Sequence, residues 1–408
     1  MDSLTQIVLG AACGEVVLGK KAGNRAMLWG GIAGTIPDLD ILAYLFTDDM
    51  TALAFHRGIT HSLFFAFSAP ILFGWLVAKF YKSGFYQNRT YKAIAMSIWI
   101  LLFGGIAFGV NSVASEKGVN WILLIMSVAS VLLLMTFLWR RYFQTDLSEV
   151  NVTPKEWMWL FFWAILTHPL LDSCTAFGTQ LYQPFSDYRV AWNTISVADP
   201  AYTVPFLICL VIAGFLTRQS PRRKWVNYLG IGISSGYLLF TIYNKNRVDK
   251  LFEQSLAAEN IPYTRYTVSP TILNNILWNG VAETDSFYYQ SFYSFFDDTP
   301  RFVDFKKEAK NHHLIKGHEN DRSIRILKWF SNDYYSIIRR KDGRLQLNDM
   351  RYGSRSGQYQ SDDDYIFKFL LEEKNGVLEA TEQRKPPKAG ELAKYFQRIG
   401  GKKISSTE

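Results

Sequence analysis

Cysteine is scarce in this chain of 408 residues: Cys13, Cys174 and Cys209, with no C-x-x-C spacing. All three lie in apolar stretches, so they read as buried reduced thiols rather than a disulfide framework or a thiolate metal site. A basic segment ahead of the first apolar run is also missing. The chain starts Met1-Asp2, and Lys20-Lys21 follow that run instead of preceding it, unlike a secretory signal peptide. Internal repeats and low-complexity tracts are absent. The net charge of +8 forms no stripe of the kind that grips nucleic acid, and none is expected as a partner. Much of it lies in short loops between apolar runs.

What is present divides in two. Up to about Asn244 the chain is a series of long apolar runs with few charges, and from Lys245 onward its composition is that of an ordinary soluble region. The near-zero mean hydropathy averages these unlike parts. The expected architecture is an all-α multi-pass membrane domain over 1–244, followed by a small soluble α+β domain over 245–408.

Eight apolar segments are legible: 3–19, 26–46, 62–80, 93–113, 119–139, 157–176, 198–217 and 225–244. Most approach the roughly 20 residues that a spanning helix needs. The first carries Gln6 and Glu15 and the second is broken at Pro37-Asp38, so both are open to reading as partial or re-entrant helices. Lys20, Lys21 and Arg25 follow segment one, and Lys82, Arg89 and Lys92 follow segment three. Arg140 and Arg141 follow segment five, and Arg218, Arg222, Arg223 and Lys224 follow segment seven. These loops alternate correctly, and the excess of basic residues in cytoplasmic loops makes their side the cytoplasm. Loop 47–61, loop 177–197 and the C-terminal domain then face outward.

Within the C-terminal part, 247–259 suits a short helix leading out of the membrane. Residues 323–330 and 334–338 have strand composition, and Lys341-Asp342-Gly343-Arg344 reads as a turn. Asn375-Gly376 is a hairpin signal between 365–371 and 377–381, and 391–399 suits an amphipathic helix.

Three runs carry polar chemistry in or beside these apolar segments. They are Pro37-Asp38-Leu39-Asp40, His56-Arg57-Gly58-Ile59-Thr60-His61-Ser62, and Thr167-His168-Pro169-Leu170-Leu171-Asp172. Ionisable groups at such places are costly and mark function. Entering from the cytoplasm at Ala26, Asp38 lies roughly 18 Å along a helix at 1.5 Å per residue. Entering at Trp157, His168 lies about 17 Å in and Asp172 about 23 Å in by the same rise. His56 and His61 fall at the outer end of segment three. The three runs therefore reach one depth, as a single site requires.

His168 and Asp172, spaced i and i+4, share one helix face. Pro37 interrupts its helix and lets Asp38 and Asp40 turn inward. Gly58 suits a turn presenting both imidazoles. The expected metal ligands are Asp38, Asp40, His56, His61, His168 and Asp172, with Asp38, His61 and His168 in catalytic roles. Imidazole and carboxylate without thiolate favour Zn²⁺, Mn²⁺ or a similar divalent ion, one or two in number. The inferred chemistry is hydrolysis of an ester or phosphoester. Arg57 is placed either on an anionic substrate group or as an interfacial charge, and Arg189 is a lesser candidate for the first role. His312, His313 and His318 sit in a charged stretch and read as solvated. A site in the outer leaflet suits a membrane lipid or a small amphiphilic phosphoester, and no obligate protein partner is evident. Two rivals stand beside the hydrolase: an ion- or proton-coupled transporter using the same Asp and His residues, and a sensor whose soluble part does the work.

Together, Met-Asp-x-x-Thr at the start, a glycine-rich run into Pro-Asp-x-Asp, His-Arg-Gly-x-Thr-His-Ser and His-Pro-x-x-Asp resemble the LexA-regulated, membrane-bound metal-dependent hydrolase family. The likeness covers roughly residues 1–180, and its most specific block is His56 to Ser62. It implies a multi-pass bacterial inner-membrane protein with a divalent metal and hydrolase activity, and it leaves the substrate undefined. The chain departs from the family at Thr5-Gln6, where members commonly show Thr-His; if that histidine binds metal, this chain has lost a ligand or substitutes Gln6 or Asp2. The Asp and His pattern is also distantly similar to zinc-dependent phospholipase C.

Overall fold

The computed structural model describes residues 1–114, 121–144, 149–354, 357, 364–383 and 390–402. Two units emerge from the packing, Met1–Pro70 with Leu160–Glu408, and Ile71–Trp159.

The first unit opens with α1 (Ser3–Ala22), capped by the Asp2 carboxylate, which accepts from the Thr5 amide. Gly23, at φ 60°, reverses the chain into α2 (Asn24–Thr35). The two helices meet backbone to backbone through Gly10 and Gly14 on one and Gly30 and Gly34 on the other. A Cβ on Gly10 would lie 2.3 Å from the Gly30 carbonyl oxygen, one on Gly14 2.1 Å from that of Ala26, and one on Gly34 2.5 Å from that of Gln6. This is a small-xxx-small contact, the kind that helices in lipid also use, in which small residues let backbones approach closely. Backbone cannot step aside. Gly14→Val is therefore expected to lower stability by about 3 kcal/mol or more, at or beyond the upper end of overpacking costs. Gly232→Ala, with open space around it, is expected to be neutral or slightly stabilising. Thermal unfolding in detergent checks the pair.

Pro37 ends α2, and a 3-10 segment, Pro37–Leu45, follows. Segment two is thus broken where the sequence indicates. Asp48 then caps a short α3 (Asp49–Phe55), accepting from the Met50 and Thr51 amides. Next come α4 (Leu63–Lys82), α5 (Arg89–Ala114), α6 (Trp121–Trp139), α7 (Pro154–Ser173), α8 (Pro200–Phe215) and α9 (Pro221–Ala258). Helix occurs at every apolar segment, but among the described residues three helices are long and apolar enough to cross a membrane: Leu63–Lys82, Arg89–Gly109 and Trp121–Trp139. α7 is broken in apolar character by its own polar run, and α8 has 16 residues. In the second unit the Tyr81 and Trp157 rings stack at 5.4 Å, and Gly74 admits the backbone of Met158. Ile122, Leu133 and Phe137 of α6 are exposed, as side chains facing lipid would be.

α9 runs unbroken for 38 residues, about 57 Å at helical rise. The separate exit helix expected at 247–259 is instead its last turns. Arg223, expected in a cytoplasmic loop, is buried in α9, where its guanidinium pairs with Glu15 of α1.

The C-terminal region holds two four-stranded antiparallel sheets. The first comprises β1 (Arg265–Pro270), β2 (Leu277–Glu283), β3 (Phe287–Ser294) and β4 (Lys306–Ala309). Its core includes Val248, Phe252 and Leu256 from α9 with Val268, Trp278 and Phe302. Helix α10 (Arg322–Ser331) follows, where strand composition was expected over 323–330. Its buried positions, Ser323, Ile324, Leu327, Phe330 and Ser331, repeat at helical spacing, and that periodicity overrides the β-branched residues. The second sheet comprises β5 (Tyr335–Arg339), β6 (Leu345–Asp349), β7 (Lys368–Lys374) and β8 (Val377–Glu382). Asn375 and Gly376 join β7 to β8 with φ of 54° and 77°, the left-handed pair a two-residue hairpin turn needs. α11 (Glu391–Ile399) lies where an amphipathic helix was expected. Met50 and Leu53 of α3 join Ile324, Leu327, Ile337, Leu347 and Phe369 in the core of the second sheet.

Candidate metal centre

Three elements deliver the polar runs. The 3-10 segment after Pro37 carries Asp38 and Asp40, the turn between α3 and α4 carries His56 to His61, and α7 carries His168 and Asp172 one helical turn apart.

The middle turn is tightly wound. Arg57 adopts φ 57°, a conformation that a residue with a Cβ rarely takes. Asp40 holds it there. Its carboxylate accepts from the Arg57 amide at 2.8 Å, lies 2.8 Å from His56 Nδ1, and accepts from the Thr60 hydroxyl at 3.3 Å. The Gln180 amide donates to the Arg57 carbonyl at 3.1 Å. Strain of this kind persists only where the surroundings over-determine it, and it concentrates at functional sites.

Asp38, His61, His168 and Asp172 converge, each offering an atom within 4.8 Å of the others, and such a group can hold a metal ion. The two Nε2 atoms are 3.0 Å apart. Asp38 Oδ1 lies 3.5 Å from His61 Nε2 and 3.4 Å from His168 Nε2, and Asp172 Oδ2 lies 3.5 Å from each. His61, His168 and Asp172 are buried, while Asp38 is half-buried and marks the accessible side.

Partners behind the rings fix their protons. His168 Nδ1 is 2.6 Å from the Gly34 carbonyl oxygen, which can only accept, so Nδ1 carries the hydrogen. His61 Nδ1 lies 3.3 Å from Asp40 Oδ2, which favours the same tautomer. Two bare Nε2 lone pairs then face each other and two carboxylates. Asp38 Oδ2 and Asp172 Oδ2 are buried without a hydrogen bond, the second with the Arg57 guanidinium as its ion-pair partner. Crowded lone pairs and an orphaned Asp38 oxygen suit a shared cation, so the residues present fit a metal.

Of the six expected ligands, Asp40 and His56 stand behind these four, joined to each other and to the turn. The His56 ring meets Phe177 edge-on at 5.3 Å. Arg57 is buried. Its Nε is 3.2 Å from Asp172 Oδ2, its Nη1 donates to Thr175 Oγ1 at 3.0 Å, and its guanidinium lies over the Phe177 ring at 4.8 Å. Gln6 is at the centre: its amide nitrogen donates to Asp172 Oδ1 at 2.9 Å and to the His168 carbonyl at 3.3 Å. The Met1 amine pairs with the same Oδ1. Asp2 is occupied in capping α1.

Sequence reasoning quoted Thr60 in its run without giving it a role, and did not reach Thr175, Phe177 or the Gly34 carbonyl. Thr175 and Phe177 are common residues with no distinguishing spacing, and a backbone oxygen has no signature of its own. Gln6 drew notice only as a departure from a pattern. Elsewhere, His312 stacks on Tyr335 at 4.1 Å and His318 pairs with Asp321 at 2.8 Å. Cys13, Cys174 and Cys209 are free thiols, Cys13 half-buried and the others buried.

Two comparisons place the chain among known proteins. Inner membrane protein YbcI of Escherichia coli (strain K12) is 26% identical over 155 residues, 36% of this chain and 85% of that protein. No solved structure matches. The family described as YdjM inner membrane protein matches residues 1–114 and 121–248, which include all three polar runs. With more than half its length so matched, the chain belongs to the YdjM inner membrane protein family.

Proposed function

We propose that this protein is a membrane-embedded, metal-dependent hydrolase of an ester or phosphoester carried by an amphiphile. The observation that supports it most is the pair of buried imidazoles with Nδ1 tied from behind and Nε2 atoms 3.0 Å apart, between two carboxylates. At zinc–ligand distances of about 2.0–2.1 Å, the edges of a tetrahedral site measure about 3.3–3.4 Å. The five donor separations given above run from 3.0 to 3.5 Å. With five of six edges near that size and the sixth, Asp38 to Asp172, within 4.8 Å, we favour a single Zn²⁺ ion, which Asp38, His61, His168 and Asp172 would hold, with Mn²⁺ as the next choice.

A divalent ion held by these residues would supply a Lewis acid and would bring the pKa of a water towards neutrality. The chain's own groups do the rest. Asp38, the half-buried carboxylate of the four, would receive a proton. Asp40 and the Gly34 carbonyl keep both imidazoles in the ligating tautomer. Arg57 offsets the charge of Asp172, and an anionic substrate group would compete with Asp172 for it.

An apolar groove of about 550 Å³ begins one residue after Ser62, lined by Leu63, Phe64, Phe67, Leu181, Tyr182 and Phe185. It suits an acyl chain and supports the choice of an amphiphile. In this reading the centre and the C-terminal region face outward; with Arg223 buried, Arg218 and the exposed Arg222 and Lys224 at the start of α9 still mark the cytoplasmic side.

Metal analysis of the purified protein is expected to find about one divalent ion per chain. His61→Ala and His168→Ala should each lower that content at least tenfold and abolish metal-dependent cleavage of a chromogenic amphiphilic phosphoester. Metal content unchanged in both variants would overturn the assignment. The transporter reading gains from one feature, the buried Glu15–Arg223 pair, which puts ionisable groups at a second level of α1. Metal-independent ion or proton flux in proteoliposomes would put that reading first.

A further inference from the structure

Arg189 lies in the long connection between α7 and α8. Its guanidinium contacts three rings, Phe177 at 4.7 Å, Phe330 at 4.7 Å and Trp329 at 5.0 Å. Its Nη1 donates to the Phe330 carbonyl at 3.0 Å and its Nη2 to the Phe177 carbonyl. No carboxylate among the described residues comes within ion-pair distance of it. Arg57 lies over Phe177 at 4.8 Å, and Arg351 lies over Phe330 at 5.3 Å. Three guanidinium groups are therefore linked through two phenyl rings. Asp172 answers Arg57, and Asp349 answers Arg351 at 2.6 Å. The charge of Arg189 has no such answer. Burial pulls its pKa down to about 9; Tyr352 and Asp349 oppose that shift, and Arg351 and Arg57 add to it.

Beside Arg189 is a cavity of about 290 Å³, whose walls include Arg189, Arg351, Asn193, Thr267, Ser269 and Tyr334. Asp187 also lines it, exposed and beyond ion-pair reach of Arg189. The unpaired Arg189 guanidinium, the Asp349-paired Arg351 and several hydroxyl and amide groups around one cavity form a receptor for a tetrahedral oxyanion, which guanidinium grips through paired N–H donors. We propose that this cavity binds a phosphate group, free or as the headgroup of a phospholipid. Phe177 separates it from the metal centre, and binding there does not depend on hydrolysis or on a metal.

Calorimetric titration of the full chain in neutral detergent tests this, with inorganic phosphate in one arm and a short-chain phosphatidylglycerol in the other. Saturable binding is expected, weakened at least tenfold by Arg189→Gln and by Asn193→Asp. The second variant keeps the arginine and places a negative charge in the cavity. Asn193 has φ 55°, which aspartate tolerates, so this variant should retain the wild-type melting temperature even if the first does not fold. Binding of both probes assigns the cavity to phosphate itself; binding of the lipid alone assigns it to a headgroup. Three results would overturn the proposal: no binding of either probe, equal binding by wild type and Asn193→Asp, or loss of binding when a chelator strips the metal.

Discussion

Asp172→Ala is expected to lose the metal of the proposed reading and to unfold at a markedly lower temperature. One oxygen of this carboxylate receives Gln6 and the Met1 amine; the other faces both imidazoles and Arg57. Removal leaves the Arg57 guanidinium, 4% exposed, with Thr175 and the Phe177 ring but no counter-charge. Breaking a buried pair from one side costs about 3–5 kcal/mol, because the remaining charge is neither solvated nor matched. Asp172→Asn separates the two effects. It keeps the shape and can still accept from Gln6, so it should retain more stability than the alanine variant while losing most of its metal. Metal content and thermal unfolding in detergent read both. Wild-type metal content in Asp172→Ala would remove this residue from the centre.

The second large effect lies in the helical region, at Glu15 and Arg223. Arg223 donates to both carboxylate oxygens at 2.7 and 2.5 Å, to Asn24 Oδ1 at 2.6 Å and to the Leu216 carbonyl at 2.9 Å. It thereby ties α9 to α1, to the start of α2 and to the end of α8. Glu15→Met or Arg223→Met alone should destabilise by about 3–5 kcal/mol, each leaving one buried charge. The double variant should recover most of that loss, since methionine fills similar space without desolvation, and replacing a buried pair by apolar residues is often neutral or gains about 1–4 kcal/mol. Unfolding of all four proteins in one detergent gives the coupling. Simply additive losses would show that the two side chains act independently.

The polar runs were legible in the sequence because their residue types are out of place in apolar surroundings and helix rise alone puts them at one depth. Residue type could not separate Asp40 and His56 from the four that converge, since a carboxylate that orients a turn looks like one that faces a metal. The glycines of the first two helices were visible as a composition, while their pairing across a hairpin required the fold. Counting basic residues in loops placed Arg223 with its neighbours, because such a count is blind to a partner 208 positions away. In α10, Ile324 and Ile326 suggested alternation, and the helical repeat of Ile324, Leu327 and Phe330 was the stronger signal. At Asn244 the composition changes but the helix does not: its outer face passes from one environment to another while its backbone continues. The Asn375-Gly376 turn was readable because left-handed φ at two successive positions restricts residue choice severely.

α3 has a consequence for biogenesis. Met50 and Leu53 are buried in a core whose other buried members begin at Ile315. The ribosome delivers those partners last, long after the hairpin of α1 and α2 has been made. His56 follows α3 directly, so the turn that presents His61 hangs from a helix whose packing is completed only at the end of translation. On the proposed reading, metal uptake is then a late event, and a chain stalled before its second sheet would sit in the membrane with an unfinished centre.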